Sequence, residues 1–301
     1  MLLLARDTHI FSFSKHHTPV LNVISGSTVK FQTMDCFSNT IHSPDQSVEA
    51  IDYSRINPAT GPVYIEGAEP GDVIKAEILE IRVAGQGVLA SIPGIGTLTH
   101  TAESAIKILP IASGQTATFS EHIELDVRPM VGVIGVAPAG ADIPCGHPGN
   151  HGGNMDATCI TSGSSVYLPV NVSGALFALG DLHAAMGDGE ICGVGIEVAG
   201  EVDVRLSVIK GAELDWPLVH RGNDWYTIAS DHDLLTAIRL ASESMQRLLV
   251  KEWELSNTEA YMLMGAAGDV QVNQACKPCS VESVVRFRMP QMKSLKPLIQ
   301  E

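Results

Sequence analysis

Positive charge is scarce in this chain: 19 Lys and Arg stand against 34 Asp and Glu, a formal net charge of −15 over 301 residues. Binding nucleic acid requires clustered Lys and Arg to neutralise phosphates, and no such stripe is present, so a nucleic-acid partner is not expected. Charged residues of both signs reach only 18%, below the roughly one quarter usual in soluble proteins. This sparseness points to extensive buried surface or to a homo-oligomer interface, with closed symmetry of even order expected. Long apolar runs are also missing. No segment approaches the roughly 20 residues of a membrane-spanning helix, so no membrane partner is expected. Arg6, Asp7 and His9 interrupt the apolar residues 1–5 before a secretory signal core forms, which makes a cytoplasmic location the expectation.

Cysteine is sparse too. Six in a chain of this length do not make a disulfide scaffold of the kind that replaces a core. Cys276-Lys277-Pro278-Cys279 has a paired-cysteine spacing, but Cys36, Cys145, Cys159 and Cys192 are scattered singly. A structural zinc needs a second pair, and a thioredoxin-like site needs a βαβ context, so this pair reads as incidental to the chemistry. No short-period repeat is present.

The first two-thirds of the chain consist of short β-like runs divided by turns. Residues 28–36, 73–83 and 202–209 are the clearest. In 73–83 the apolar residues alternate imperfectly, as expected of a partly buried strand, and Pro70-Gly71-Asp72 supplies the turn before it. Regular succession of strand and turn predicts an antiparallel β-sandwich-like core rather than a parallel α/β sheet. Near Ser230 the pattern changes. Asp231 can cap a helix reaching about Glu254, with Leu234, Leu235, Ile238, Ala241, Met245, Leu248 and Leu249 at helical spacing. That stripe reads as core rather than as a cofactor groove. Ser256 and Glu259 match a capping box opening a second helix through about Gly265, and residues 283–289 return as a strand. The expected architecture is a mostly β fold, residues 1–301 forming one integrated domain with a carboxy-terminal helical segment. The alternative is a division into a β-rich 1–225 and a 226–301 segment of helices and return strand.

Two stretches gather the chemistry: Gly149-Asn150-His151-Gly152-Gly153-Asn154-Met155-Asp156 and Gly180-Asp181-Leu182-His183-Ala184-Ala185-Met186-Gly187-Asp188-Gly189-Glu190. Each sets imidazole and carboxylate groups among glycines, which let a backbone turn tightly and approach a ligand closely. Neutral imidazole and carboxylate oxygen are the ordinary non-thiolate ligands of Zn²⁺ and similar cations. Residues 166–177 read as strand sequence running into the second stretch. In an extended chain Asp181 and His183 then share a face, because side chains alternate across a strand. Asp188 and Glu190 repeat the spacing. A polar hairpin end, with Asp and Gly serving the turn, is the plain alternative for either pair alone. A third candidate ligand, Asp35, stands at the end of the predicted strand 29–36.

With Thr60-Gly61-Pro62-Val63-Tyr64-Ile65-Glu66-Gly67-Ala68-Glu69-Pro70-Gly71-Asp72, Met34-Asp35-Cys36-Phe37-Ser38-Asn39, the Gly-Gly-Asn-Met-Asp run at 152–156 and the 180–190 stretch, the chain resembles the acetamidase/formamidase family. The motifs are long, occur in the family's order and cover nearly the whole chain. The resemblance implies hydrolysis of a small amide to carboxylate and ammonia, and a largely β architecture.

For that reaction the favoured mechanism is attack by a metal-bound water, the cation acidifying the water and polarising the carbonyl. Asp35, Asp156, Asp181 and His183 are the candidate ligands, with His151 a close alternative. A catalytic zinc keeps an open position, so not all of them are expected to bind at once. Zn²⁺ is the favoured ion and Ca²⁺ the alternative. Glu190 is the favoured general base, and Asn154 is the candidate to orient the substrate. A cysteine nucleophile, Cys145 or Cys159 activated by His147 or His151, is the competing mechanism. Outside enzymology, the same residues suit a β binding module for a small amide or carbohydrate, stabilised by structural Ca²⁺.

Overall fold

Alternating apolar side chains build two stacked sheets in the computed structural model, which describes residues 1–277 and 280–300. Cys279 therefore lies outside the described residues. The first sheet has nine strands in the order Leu2–Leu4, Ser27–Thr33, Gly200–Ile209, Val73–Val83, Ser164–Pro169, Leu218–Arg221, Asp224–Asp231, Ser283–Pro290 and Asp269–Gln274. At the centre of the second, Phe177–His183 lies between Met130–Gly135 on one side and both Ala59–Ile65 and Glu197–Val198 on the other. Among the described strand pairs, Leu2–Leu4 with Ser27–Thr33 and Leu21–Val23 with Ala59–Ile65 are parallel; the others are antiparallel.

The main core fills the space between the sheets. Val29, Phe31, Ile74, Ala76, Ile78 and Val204 from the first meet Val131, Ile134, Phe177 and Leu179 from the second, all buried. Phe31 and Phe177 meet edge to face at 5.7 Å between ring centroids, a favoured aromatic geometry. The imperfect alternation of Val73–Val83 has a local cause. Val204 pairs with Ile78 and Asp203 with Glu80, so Leu79 is an extra residue. This β-bulge resets the phase and returns Ile81 to the same core as Ile78, as a one-residue insertion must.

The outer face of the first sheet is covered by two helices, α1 (Leu234–Trp253) and α2 (Asn257–Ala267). Ala237, Ala241, Met245, Leu248 and Leu249 pack with Tyr167, Leu218 and Trp225, so the apolar stripe is core, although Leu235 at its start is exposed. Asp231 is not the cap. It ends a strand, and Asp233 caps α1 by accepting from the Thr236 backbone N–H at 2.8 Å. The capping box of Ser256 and Glu259 forms in full. The strand expected over 166–177 is also corrected. Ser164–Pro169 belongs to the first sheet and Phe177–His183 to the second, and the chain crosses between them through Ala175 and Leu176 at φ 58° and 56°.

Candidate functional site

Phe177–His183 delivers Asp181 and His183 to one end of the second sheet, with Asp181 at φ 54° switching the side-chain phase, so that Phe177, Leu179 and Leu182 all enter the main core. His183 Nε2 lies 3.6 Å from Asp181 Oδ1 and 3.9 Å from Asp156 Oδ1. Its shortest carboxylate contact, 3.1 Å, is to Glu197 Oε1, a residue that sequence reasoning missed. Glu197 sits directly across the ladder from His183, and directly opposed side chains touch. Glu190 arrives from the loop after His183. Gln274, at the far edge of the other sheet, donates to Asp156 Oδ2 at 2.6 Å and to Glu190 Oε2 at 2.9 Å. Asn57 donates to Asp181 Oδ2 at 2.8 Å.

Asp156, Asp181 and Glu190 all adopt left-handed backbone conformations, with φ of 42°, 54° and 42°. Residues other than glycine seldom do so, and strain of this kind concentrates at functional sites. Three acidic residues bent this way and aimed at one buried point form an arrangement that folding alone does not require.

The electrostatics agree. Asp156, Asp181, His183, Glu190 and Glu197 are all buried, and four carboxylates exceed the one imidazole. Burial lifts Glu190 to about 7 and Glu197 to about 8. It also raises Asp156 well above the usual carboxylate range, helped by the charges of Glu190 and Asp181. Burial opposes charge on His183, but Glu197 and Asp181 outweigh it and hold the imidazole well above its ordinary value. Such crowding of like charge away from water must be relieved by protons or by a cation. Ligand atoms of Asp156, His183 and Glu190 lie within 4.8 Å of one another, and so do those of Cys36, Asp181 and Glu197.

A cavity of about 110 Å³ opens beside the cluster. Asp181, Glu190, Glu197, Asn154 and Gln274 line its polar side, and Phe37, Ile56, Ile92, Ile95 and Val194 its apolar side. Asn154 is thus placed at the cavity, with its Oδ1 unpartnered.

Asp35 is not brought into either ligand group. Its Oδ1 accepts the backbone N–H groups of Phe37 at 3.0 Å and Asn39 at 2.8 Å, in a turn where Ser38 and Asn39 take positive φ. The carboxylate is used as a local turn acceptor, and the neighbouring Cys36 reaches the cluster instead. Asp188 faces away from the cluster, accepting from Thr158 Oγ1 and Arg286.

His151 stands apart as well. It is fully buried with neither ring nitrogen hydrogen-bonded, and its ring meets Phe13 edge to face at 5.1 Å. Burial drives its pKa down to about 4. The unfolded chain, with an ordinary value near 6.5, then binds more protons than the folded one between those limits, so stability falls as pH drops from about 6.5 to about 4. The shift corresponds to about 3 kcal/mol. His151→Leu is expected to remove this component, so that the stability difference between variant and parent changes by that order between pH 7 and pH 4 in urea melts. An unchanged difference would contradict it.

The cysteine-nucleophile geometry is not found. Cys145 and Cys159 are buried, and burial raises both thiols, Cys159 to about 11. Cys145 Sγ donates to the Ile10 carbonyl, while His147 Nδ1 faces Glu282. A nucleophile needs the opposite, a lowered pKa and a base within reach.

Similarity to known proteins extends over nearly the whole chain. The chain is 42% identical to a Bacillus halodurans acetamidase of known structure, covering 96% of this chain and 97% of that one with a TM-score of 0.93. A predicted acetamidase/formamidase of the thermophile Thermoanaerobacter tengcongensis gives 45% identity, coverage of 96% and 95%, and a TM-score of 0.92. The acetamidase of Mycolicibacterium smegmatis is 26% identical, with 87% of each chain covered. The chain spans only 62% of the curated Schizosaccharomyces pombe relative and 60% of the Methylophilus methylotrophus formamidase. The model of the Acetamidase/Formamidase family matches residues 12–147 and 142–277, and the chain belongs to that family.

Proposed function

We propose that the protein is an amidohydrolase that converts a small aliphatic amide, of formamide or acetamide type, to carboxylate and ammonia. The observation that carries this reading is the buried cluster of Asp156, Asp181, His183, Glu190 and Glu197 beside a cavity of about 110 Å³. That volume is far below the roughly 300–1,000 Å³ of pockets for drug-sized ligands, and it suits a substrate of few heavy atoms. The relatives named acetamidase and formamidase support the same class.

A divalent cation fits the cluster. Asp156 Oδ1, Asp181 Oδ1 and Glu197 Oε2 are buried without hydrogen-bond partners, which is costly unless something else satisfies them. Asp156, Asp181, His183 and Glu197 supply the donors, and an imidazole among them favours Zn²⁺ or a similar ion over Ca²⁺. Such a cation, when bound, supplies Lewis acidity toward water and the amide carbonyl.

Glu190 takes the proton of the attacking water as the water oxygen bonds to the carbonyl carbon. Glu190 lines the cavity, held by the Gln274 amide at 2.9 Å, where a carboxylate can meet the attacking water. The same carboxyl then gives that proton to nitrogen as the C–N bond breaks, so amide and water leave as carboxylic acid and ammonia. Asn154 orients the amide at the cavity wall, and the apolar side chains opposite receive the acyl group.

The test is ammonia release from formamide and acetamide, together with elemental analysis of the purified protein. His183→Ala is expected to lose the bound cation and to lower turnover by at least about 10²-fold, since it removes a donor at the centre of the cluster. Full activity in cation-free protein would overturn the metal-dependent reading, and absence of turnover on every small amide would overturn the amidohydrolase reading.

A further inference from the structure

Asp269–Gln274 is an edge strand of the first sheet and ends on a β-bulge. Val272 pairs with Val285 and Gln274 with Val284, which leaves Asn273 as the extra residue. In a regular strand, adjacent side chains point to opposite faces. Here both turn inward: Asn273 is 0% and Gln274 4% exposed. Bulges beside functional sites re-aim side chains in this way. Asn273 Nδ2 donates to the Met155 carbonyl at 3.1 Å, next in sequence to Asp156. Gln274 Nε2 spends its two hydrogens on Asp156 Oδ2 and Glu190 Oε2. The two carboxylates fix which way the Gln274 amide faces, because the reverse orientation would set its carbonyl oxygen against both of them.

Arg286, on the neighbouring strand, anchors this arrangement. It is buried, and its three nitrogens donate to Gln271 Oε1 at 2.6 Å, Asn273 Oδ1 at 2.5 Å and Asp188 Oδ2 at 2.6 Å. One guanidinium therefore grips both the bulge that carries Gln274 and the loop that carries Glu190. Backbone bonds close the junction, Gly189 N–H to the Asn273 carbonyl at 3.0 Å and Ala275 N–H to the Gly189 carbonyl at 2.9 Å.

We propose that Gln274 is a positioning residue, clamping Asp156 and Glu190 into one arrangement, and that Arg286 acts through it by holding the bulge. The inference rests on the amidohydrolase reading for its kinetic consequence but not for its geometry. Gln274 reaches the reaction through the two carboxylates, one a proposed cation donor and the other the proposed base.

Gln274→Met keeps the side chain's length and removes the donor. It is expected to lower kcat by about 10²-fold, the cost of a misplacement near 1 Å, and to change KM far less, about threefold, because Gln274 is one of several residues lining the cavity. A crystal structure of the variant should show the Glu190 carboxylate displaced. Arg286→Lys keeps the charge but not the planar fork, and its kcat should fall in the same direction. The double variant should be no slower than Gln274→Met alone, since residues acting in one chain do not add. Undisturbed carboxylates or an intact kcat in Gln274→Met overturns the clamp, and losses that multiply in the double variant overturn the part given to Arg286. Should Gln274→Met not fold, Gln274→Asn, one methylene too short to span both carboxylates, carries the same expectations. If the parent protein hydrolyses no amide, the functional reading fails while the position of Glu190 still decides the clamp.

Discussion

Glu190→Gln is expected to lower kcat for amide hydrolysis by about 10²- to 10⁴-fold, the usual worth of a positioned acid–base group, while the protein keeps its cation. The amide has nearly the shape of the carboxyl group but cannot accept a proton from water in the same way. The volume of the site is therefore preserved and its chemistry is not. Asp156, Asp181, His183 and Glu197, the proposed cation donors, are untouched by the change, so elemental analysis should find the parent's metal content. KM should move little, because the lost interaction belongs to the transition state. Loss of the cation together with activity would instead make Glu190 a ligand, which its place within 4.8 Å of Asp156 and His183 would accommodate. Retained turnover would remove it from the mechanism.

Gly132→Ala should damage the site from behind. A Cβ on Gly132 would stand 2.6 Å from Asp156 Oδ1, 2.8 Å from the Asp181 carbonyl oxygen and 2.8 Å from Asp181 Oδ2. The backbone cannot readily give, because Val131 and Val133 on either side are paired with Leu182 and Gly180, and Val133 also with Asn154. Its φ lies outside the left-handed region, so space alone makes the position one for glycine. Overpacking of this kind costs about 1–3 kcal/mol, a drop of several degrees in Tm for a chain of this size at roughly 2–4 °C per kcal/mol. The larger effect falls on catalysis, since the added Cβ displaces the carboxylates of both Asp156 and Asp181. Turnover should decrease by about 10²-fold or more, with folded protein still recovered below the lowered midpoint. A variant with normal kcat would show that the approach of Asp156 and Asp181 to the Gly132 backbone is not needed.

The parts of the site that strand geometry governs were readable. Asp181 and His183 are two residues apart at the end of a strand, a spacing visible in the sequence, although Asp181 at φ 54° departs from regular alternation. Asp156 and Glu190 stood out because they end glycine-rich segments containing imidazole. Asp35 has a local use: Asp35-Cys36-Phe37-Ser38-Asn39 is also a turn sequence, and the carboxylate Oδ1 serves the Phe37 and Asn39 N–H groups. The Ser38-Asn39 pair was the signal for that use. His151 lies between Gly149 and Gly153, as a close backbone approach requires, but the approach is to its own ring. A Cβ on either glycine would lie within 3 Å of an imidazole nitrogen.

What the sequence determined by itself is what short-range physics controls: strands such as Ser27–Thr33, Val73–Val83 and Gly200–Ile209, the capping box at Ser256, the apolar stripe of α1, and the two-residue spacing of Asp181 and His183 at a strand end. Tertiary structure alone decided which other groups meet them. Glu197 faces His183 through the register of two strands, Asn57 reaches Asp181 across 124 positions, and Gln274 reaches Asp156 across 118. Nothing local marks these residues, because a carboxylate or amide has the same intrinsic preferences whether it ends in water or in a cluster. Its role follows from burial. Once packing of the two sheets removes the solvent, each polar group must find a partner, and the available partners are those that register, a bulge and the chain crossing at Ala175 and Leu176 have brought to the same end of the molecule.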